Sequence, residues 1–342
     1  MKSAVYTGDQ KFLIEERIAS KPSQDEVQLK IAFCGICGTD MHVYHGMMDK
    51  RVTTHRVIGH ECSAVVHQVG ENVKNFSVGD HVVVRPLVPE GECHACSSGY
   101  EHICSNLKFL GLDCDGAFQE IWNVPATTLH KIPQGIELAH AALVEPLAVA
   151  CHDVTRSRLK SGEDVLVIGG GPIGLLIAMV SQHKGANVII SEVQEARIKL
   201  ARSLGFDVMN PLQDNMEAEI NKRTNNKGAD VIFEVSGSAA GVDSMTSFAA
   251  VRARIVMVAI HGEKRAVDLF SFFWRELELM GARVYTGIDY DEAIELIASG
   301  KIDCNKLITN IVDLPNIQNA FDAIDNAQDS VKSLIRCNLE ER

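Results

Sequence analysis

The stretch DVLVIGGGPIG, residues 164–174, decides the fold of the second half of this 342-residue chain. DVLVIG (164–169) is an apolar run of strand length, as expected for a strand buried on both faces. The glycines follow as Gly169-x-Gly171-x-x-Gly174, and PIGLLIAMVSQHKG (172–185) reads as a helix with proline near its start and glycine at its end. Alone, the glycine pattern is weak. Between a buried strand and a helix it has a mechanism. Gly169 permits a tight turn, Gly171 lets backbone approach a pyrophosphate, and Gly174 lets helix and strand pack closely. Pro172 and Ile173 complete the turn, where free N–H groups and a partial positive charge face the phosphates.

Working outward, strand and helix patterns alternate. NVIISE (187–192), ADVIFEVSG (229–237), ARIVMVAI (253–260) and ELMGARVYTG (278–287) read as strands, and EARIKLARSLG (195–205) as a helix. This βαβ alternation predicts a parallel sheet covered by helices on both faces. Glu192 ends the strand after the glycine turn, where a carboxylate accepts hydrogen bonds from the adenosine ribose and repels the 2′-phosphate of NADP. NAD is therefore the expected cofactor, with Arg197 flanking the ribose. Upstream, residues 1–150 read as mostly β, through EVQLKIAF (26–33), VIGHECSAVVHQVG (57–70) and VGDHVVVR (78–85). Residues 86–116 are irregular and rich in glycine and proline, the texture of a functional or metal-held lobe. The tail holds two amphipathic helices, 291–302 and 316–324.

Composition narrows the function classes. The formal charge of −12 argues against a nucleic-acid partner. No apolar run reaches membrane-spanning length, and the N-terminus lacks a signal pattern, so a cytoplasmic home is expected. There the ten cysteines point to metal or catalysis rather than disulfides. Three separated pieces offer zinc donors: Cys37, Thr39, Asp40 and His42 in CGICGTDMH (34–42), His60 and Glu61 in GHE (59–61), and Glu145 in LVEPLAVACH (143–152). Thiolate, imidazole and carboxylate are all good zinc ligands.

In this order and context the pieces resemble the zinc-containing medium-chain dehydrogenases, in the branch of sorbitol, threonine, butanediol and sugar-acid dehydrogenases. The resemblance runs from residue 34 to about 287. It implies an α/β protein, with a GroES-like β-rich catalytic domain (1–150 and 289–342) and an inserted Rossmann doubly wound parallel-sheet domain (151–288). It implies that Cys37 and His60 ligate a catalytic zinc, with Glu61 and Glu145 ligating directly or alternating with water or substrate. Thr39 and His42 would pass on the hydroxyl proton, and Asp40 would orient His60. Cys93, Cys96 and Cys104 match three of the four cysteines of the family's structural zinc lobe. Glu90 stands at the first position as a substitute ligand, with His94 nearby. Smaller departures are Ala64 where GHExxG has glycine, and His81 where GDRV has arginine.

The expected reaction is NAD-linked oxidation of a secondary alcohol in a polyol, sugar acid or vicinal diol, giving the ketone. A threonine-type amino alcohol is the alternative substrate, and a non-catalytic NAD-binding protein the alternative class. Glu145, where simple alcohol dehydrogenases carry cysteine, makes the site harder and suits a substrate that chelates through two oxygens. Arg283 and Tyr285 are expected at a polar pocket rim at the end of the last strand, and Trp274 and Arg275 in the cleft or, preferably, the core. The resemblance also implies a homodimer or homotetramer joined along 278–287.

Overall fold

The structure is a computed structural model that describes residues 1–326 and 331–338. The chain divides into two compact units, Met1–Glu145 with Thr286–Arg342, and Pro146–Tyr285.

The first unit is built on the strand Glu26–Gly35, whose residues are nearly all buried. On one side it pairs antiparallel with Glu61–Val69. On the other, its first half pairs with Ile121–Pro125 and its last three residues with Lys332–Arg336. The chain's last described strand thus completes the sheet begun by its first part. Ile308–Asp313 adds to it in parallel. A smaller sheet contains the hairpin of Lys2–Gly8 and Lys11–Glu16, which the sequence patterns above did not mark. Segment 86–116 holds only short pieces: strands Leu87–Val88 and Lys108–Phe109, one turn of helix at His94–Ser97 and a 3-10 turn at Glu101–Ile103.

The second unit carries a six-stranded parallel sheet in the spatial order 207–209, 187–191, 164–168, 229–234, 249–257, 278–281. The chain winds outward from 164–168 in one direction, then returns and winds outward in the other. That reversal makes the carboxyl ends of 164–168 and 229–234 the topological switch point, where such sheets bind ligands.

Two expectations need correction here. The last strand is Glu278–Gly281 and does not extend to 287. Val284 has φ 48°, a left-handed conformation that a β-branched residue adopts only under constraint and that cannot continue a strand. Arg283 and Tyr285 therefore lie beyond the strand, Arg283 exposed and Tyr285 fully buried. Trp274 is 71% exposed rather than in the core, because no residue of its helix, Leu269–Arg275, is buried. Arg275 turns back and donates to the carbonyls of Ala249 and Thr246.

Candidate active site

The strand Glu26–Gly35 delivers the chain to Cys37, which caps the short helix Gly38–Tyr44 in an extended conformation. Asp40, on the first turn of that helix, accepts the Cys37 backbone N–H at 2.9 Å and so fixes the cap. His60 stands just before the strand Glu61–Val69, and Glu61 opens it. The Cys37 thiol, a His60 ring nitrogen and a Glu61 carboxylate oxygen all lie within 4.8 Å of one another. Asp40, His60 and Glu61 are buried. His60 Nδ1 is 3.6 Å from Asp40 Oδ1, and neither atom has a hydrogen-bond partner. The ring packs edge-on to Phe109.

The electrostatics of this cluster set buried acids against the His60 imidazole and a buried ammonium, Lys332. Burial pushes the His60 pKa down, but Asp40, the Cys37 thiol and Glu145 overcome it and hold the imidazole well above its ordinary value. Burial raises the Asp40 carboxyl, partly offset by His60. Buried acidic groups around one imidazole are costly unless they are paired, and here the Lys332 ammonium beside Glu61 supplies part of that pairing. Thiolate, imidazole and carboxylate at this spacing are the donors a zinc ion takes, so the residues fit that metal.

The glycine turn has the form its mechanism demands. Gly169 has φ 107°, and a Cβ on Gly174 would lie 1.9 Å from the Gly169 carbonyl oxygen, so the helix sits directly on the strand. Gly171 caps the helix Pro172–His183, with Ile173 half-buried in its first turn. Glu192 is held by three backbone N–H groups, Gly170 at 2.8 Å on one oxygen and Val193 and Gln194 at 2.7 and 2.8 Å on the other. Arg197 approaches that carboxylate to 3.9 Å. These residues fit a dinucleotide: the helix end is open for phosphate and a fixed carboxylate stands beside it.

In the lobe, the Cys93 thiol lies 3.5 Å from Cys96 and 3.6 Å from Cys104. Backbone N–H groups of Cys96 and Ser105 draw the Cys93 thiol down to about 6, whereas desolvation pushes Cys96 up to about 11. Glu90 donates its backbone N–H to the Cys104 sulfur, but its carboxylate accepts from the Asn106 side chain at 2.5 Å. The cluster of donors is the three thiols.

Comparisons with known proteins place the chain in a family. Residues 23–134 match the family of the alcohol dehydrogenase GroES-like domain, and residues 172–299 match the zinc-binding dehydrogenase family. The chain is 52% identical to a 2-dehydro-3-deoxy-L-galactonate 5-dehydrogenase of Pseudoalteromonas atlantica, over 100% of both chains. The chain belongs to the zinc-binding dehydrogenases. Among solved structures, the 2R,3R-butanediol dehydrogenase of Bacillus subtilis superposes with a TM-score of 0.90 at 31% identity, covering 98% of this chain and 99% of that one. A zinc-binding dehydrogenase of Sinorhizobium meliloti 1021 bound to NADP gives 0.90 at 29%, covering 98% of each. The fold is accordingly a GroES-like sheet domain with a Rossmann domain, and the protein is a zinc-type, NAD(P)-dependent oxidoreductase of alcohol groups.

Within this dehydrogenase the remaining sequence candidates divide. Glu145 is buried at the start of the helix Val144–Arg156; it stands outside the trio, but its charge raises the pKa values of His60 and Lys332. Thr39 and His42 are half-buried on the helix after Cys37, and neither makes a side-chain hydrogen bond among the described residues. Two groups escaped the sequence reading. Lys332 is buried, with Nζ 2.5 Å from a Glu61 oxygen and 3.2 Å from the Ile36 carbonyl. Burial lowers its pKa, but Glu61 and Cys37 more than restore it. A single lysine in VKSLIR carries no signal until the strand is paired. The second is Glu234, fully buried at the end of its strand, which accepts from Ser236 and lies 3.1 Å from His261 Nε2. No helix among the described residues is long and apolar enough to cross a membrane.

Proposed function

We propose that this dehydrogenase oxidises a secondary hydroxyl of a sugar acid to the ketone, with NAD as acceptor. The observation that carries the reading is the convergence of Cys37, His60 and Glu61 around one point, beside an Asp40 that fixes the Cys37 cap and lies 3.6 Å from the imidazole. The sugar-acid class rests on the relative with 52% identity over the full chain, a 5-dehydrogenase of 2-dehydro-3-deoxy-L-galactonate. We therefore assign a 3-deoxy-2-oxo sugar acid as substrate, oxidised at C5.

In this reading Cys37, His60 and Glu61 hold the catalytic zinc, and Glu145 faces the same centre as a second carboxylate. When bound, zinc would supply Lewis-acid stabilisation of the substrate oxygen and NAD would supply the hydride acceptor. The chain's part is positional. Asp40 keeps the Cys37 backbone in its cap and would orient the His60 ring by closing the 3.6 Å gap to Nδ1. Thr39 takes the hydroxyl proton and His42 carries it to solvent. Glu192, locked onto the glycine turn, selects NAD by excluding a 2′-phosphate. The catalytic domain comprises 1–150 with 289–342, and the cofactor domain 151–288. Cys93, Cys96 and Cys104 would hold a second, structural zinc, with Glu90, now hydrogen-bonded to Asn106, as the candidate fourth ligand.

All ten cysteines are free thiols, in keeping with a reducing compartment, and we place the protein in the cytoplasm. We also propose a homo-oligomer. Glu278–Gly281 is a sheet edge, and the nearby helix exposes Leu269, Phe270, Phe273 and Trp274, with the Phe270 and Trp274 rings stacked at 5.9 Å. An open edge beside a contiguous apolar face is a surface that a second copy covers well.

The test of function is kcat/KM across 2-dehydro-3-deoxy-L-galactonate, 2,3-butanediol, sorbitol, threonine and ethanol, each with NAD. The sugar acid should lead. Threonine in first place would move the chain to amino-alcohol chemistry, and ethanol in first place would defeat the reading.

A further inference from the structure

Glu61 has a second cation besides the metal its neighbours are built to hold. The Lys332 ammonium is 2.5 Å from Glu61 Oε2, and both side chains are buried. Lys332 is fixed in turn by the Ile36 carbonyl at 3.2 Å, one residue before Cys37. Its strand is locked in register beside the same turn, with Leu334 opposite Gly35 and Ile335 opposite Cys34. The carboxylate also occupies a niche that exists only because residue 35 lacks a side chain. A Cβ on Gly35 would stand 2.2 Å from Glu61 Oε2. Two features from separate parts of the chain, a lysine from the last strand and a glycine from the central one, therefore hold the same carboxylate oxygen.

We infer that Lys332 is a positioning residue that competes with the metal for Glu61, keeping that carboxylate partly withdrawn in the Gly35 niche so that one coordination position stays available to substrate oxygen. This rests on the reading of Cys37, His60 and Glu61 as zinc ligands. The physical argument is charge balance. A buried carboxylate needs a partner, and a catalytic zinc needs an open position. With Lys332 present, Glu61 is neutralised whether or not it ligates. Without Lys332 no other cationic side chain among the described residues pairs with Glu61, so the metal takes its place and the carboxylate becomes a permanent ligand. The lysine's own charge also loosens the hold of the site on a dication. Removing it should tighten the metal and slow the reaction together, which simple structural damage does not do.

The experiment uses the full-length protein loaded with cobalt(II) or zinc, comparing wild type, Lys332→Met, Lys332→Arg and Gly35→Ala. The readouts are the visible cobalt spectrum, the rate of zinc loss to a chelator, and kcat and KM. For Lys332→Met the expected result is a changed cobalt spectrum, zinc loss slowed about tenfold and kcat lowered about 10–100-fold, the scale for groups behind metal ligands. Lys332→Arg, which keeps the charge, should stay close to wild type. Gly35→Ala keeps the lysine but closes the niche, so it should shift the spectrum and zinc release in the same direction, and it serves as the deciding variant should Lys332→Met fail to fold. Folded variants with wild-type cobalt spectrum and zinc release would overturn the inference, as would faster zinc loss. Cys37→Ala is the control for the underlying reading. If it leaves the cobalt spectrum and metal content unchanged, the ligand assignment fails, whatever Lys332 does.

Discussion

The hold on Glu192 leads to a quantitative expectation for cofactor choice. Its two oxygens accept three backbone N–H groups at 2.7–2.8 Å, from Gly170, Val193 and Gln194, and the side chain is buried. NADP would bring a phosphate to the ribose hydroxyl that this carboxylate faces. Were the carboxylate to rotate away, at least one hydrogen bond to an ionised group would break, about 1.5–3 kcal/mol. Were it to stay, a like charge about 5 Å away at an effective dielectric constant of about 20 would cost about 3 kcal/mol. Either route costs about 1.5 kcal/mol or more, which is about tenfold at 1.4 kcal/mol per factor of ten. NAD should therefore exceed NADP in kcat/KM by at least about tenfold. Glu192→Gln removes the charge and keeps the shape, so the ratio should fall about tenfold or more. The assay is steady-state kinetics with both cofactors, with a thermal melt to verify that the variant is folded. A wild-type preference for NADP, or a ratio that the substitution leaves unchanged, would refute the reasoning.

Metal analysis should approach two zincs per chain, and Cys96→Ser should lower it to about one, since losing a thiolate dismantles a structural zinc site; a value of one in wild type, unchanged by the substitution, would mean that the lobe is held by packing. In zinc-stripped protein, Cys93 should alkylate with a midpoint near pH 6, because its lowered pKa keeps it a thiolate above that pH, while Cys96, near 11, stays slow and zinc suppresses both. Light scattering should report a dimer or tetramer, and Phe273→Glu with Trp274→Glu should shift it toward monomer by putting charge on the exposed apolar face. A monomeric wild type at working concentration would reject that assembly.

What could be read from sequence was whatever is local. The strand–glycine–helix unit at 164–174 is defined by neighbours along the chain, so its geometry followed from residue type: Gly174 in the first turn of its helix, against Gly169, and Glu192 one strand later. The two donor sets could be named as well, because Cys37, His60 and the Cys93–Cys96–Cys104 run have few other uses in such surroundings. Pairing and exposure could not be read this way. The hydrophobicity of FSFFWRELEL suggested core, yet Trp274 stands in solvent, because burial depends on what a helix packs against rather than on its own composition. The 278–287 run looked like one strand, but it ends at Gly281, and the left-handed backbone of Val284 keeps it from continuing to 287. Lys332 shows the limit most plainly. It lies 271 residues from Glu61, and only the register of the last strand against Phe33–Gly35 turns an unremarked lysine into the counter-ion of a metal-site carboxylate. Local chemistry was legible because side-chain type and short spacing determine it; long-range charge pairing was not, because it exists only once the sheet has closed.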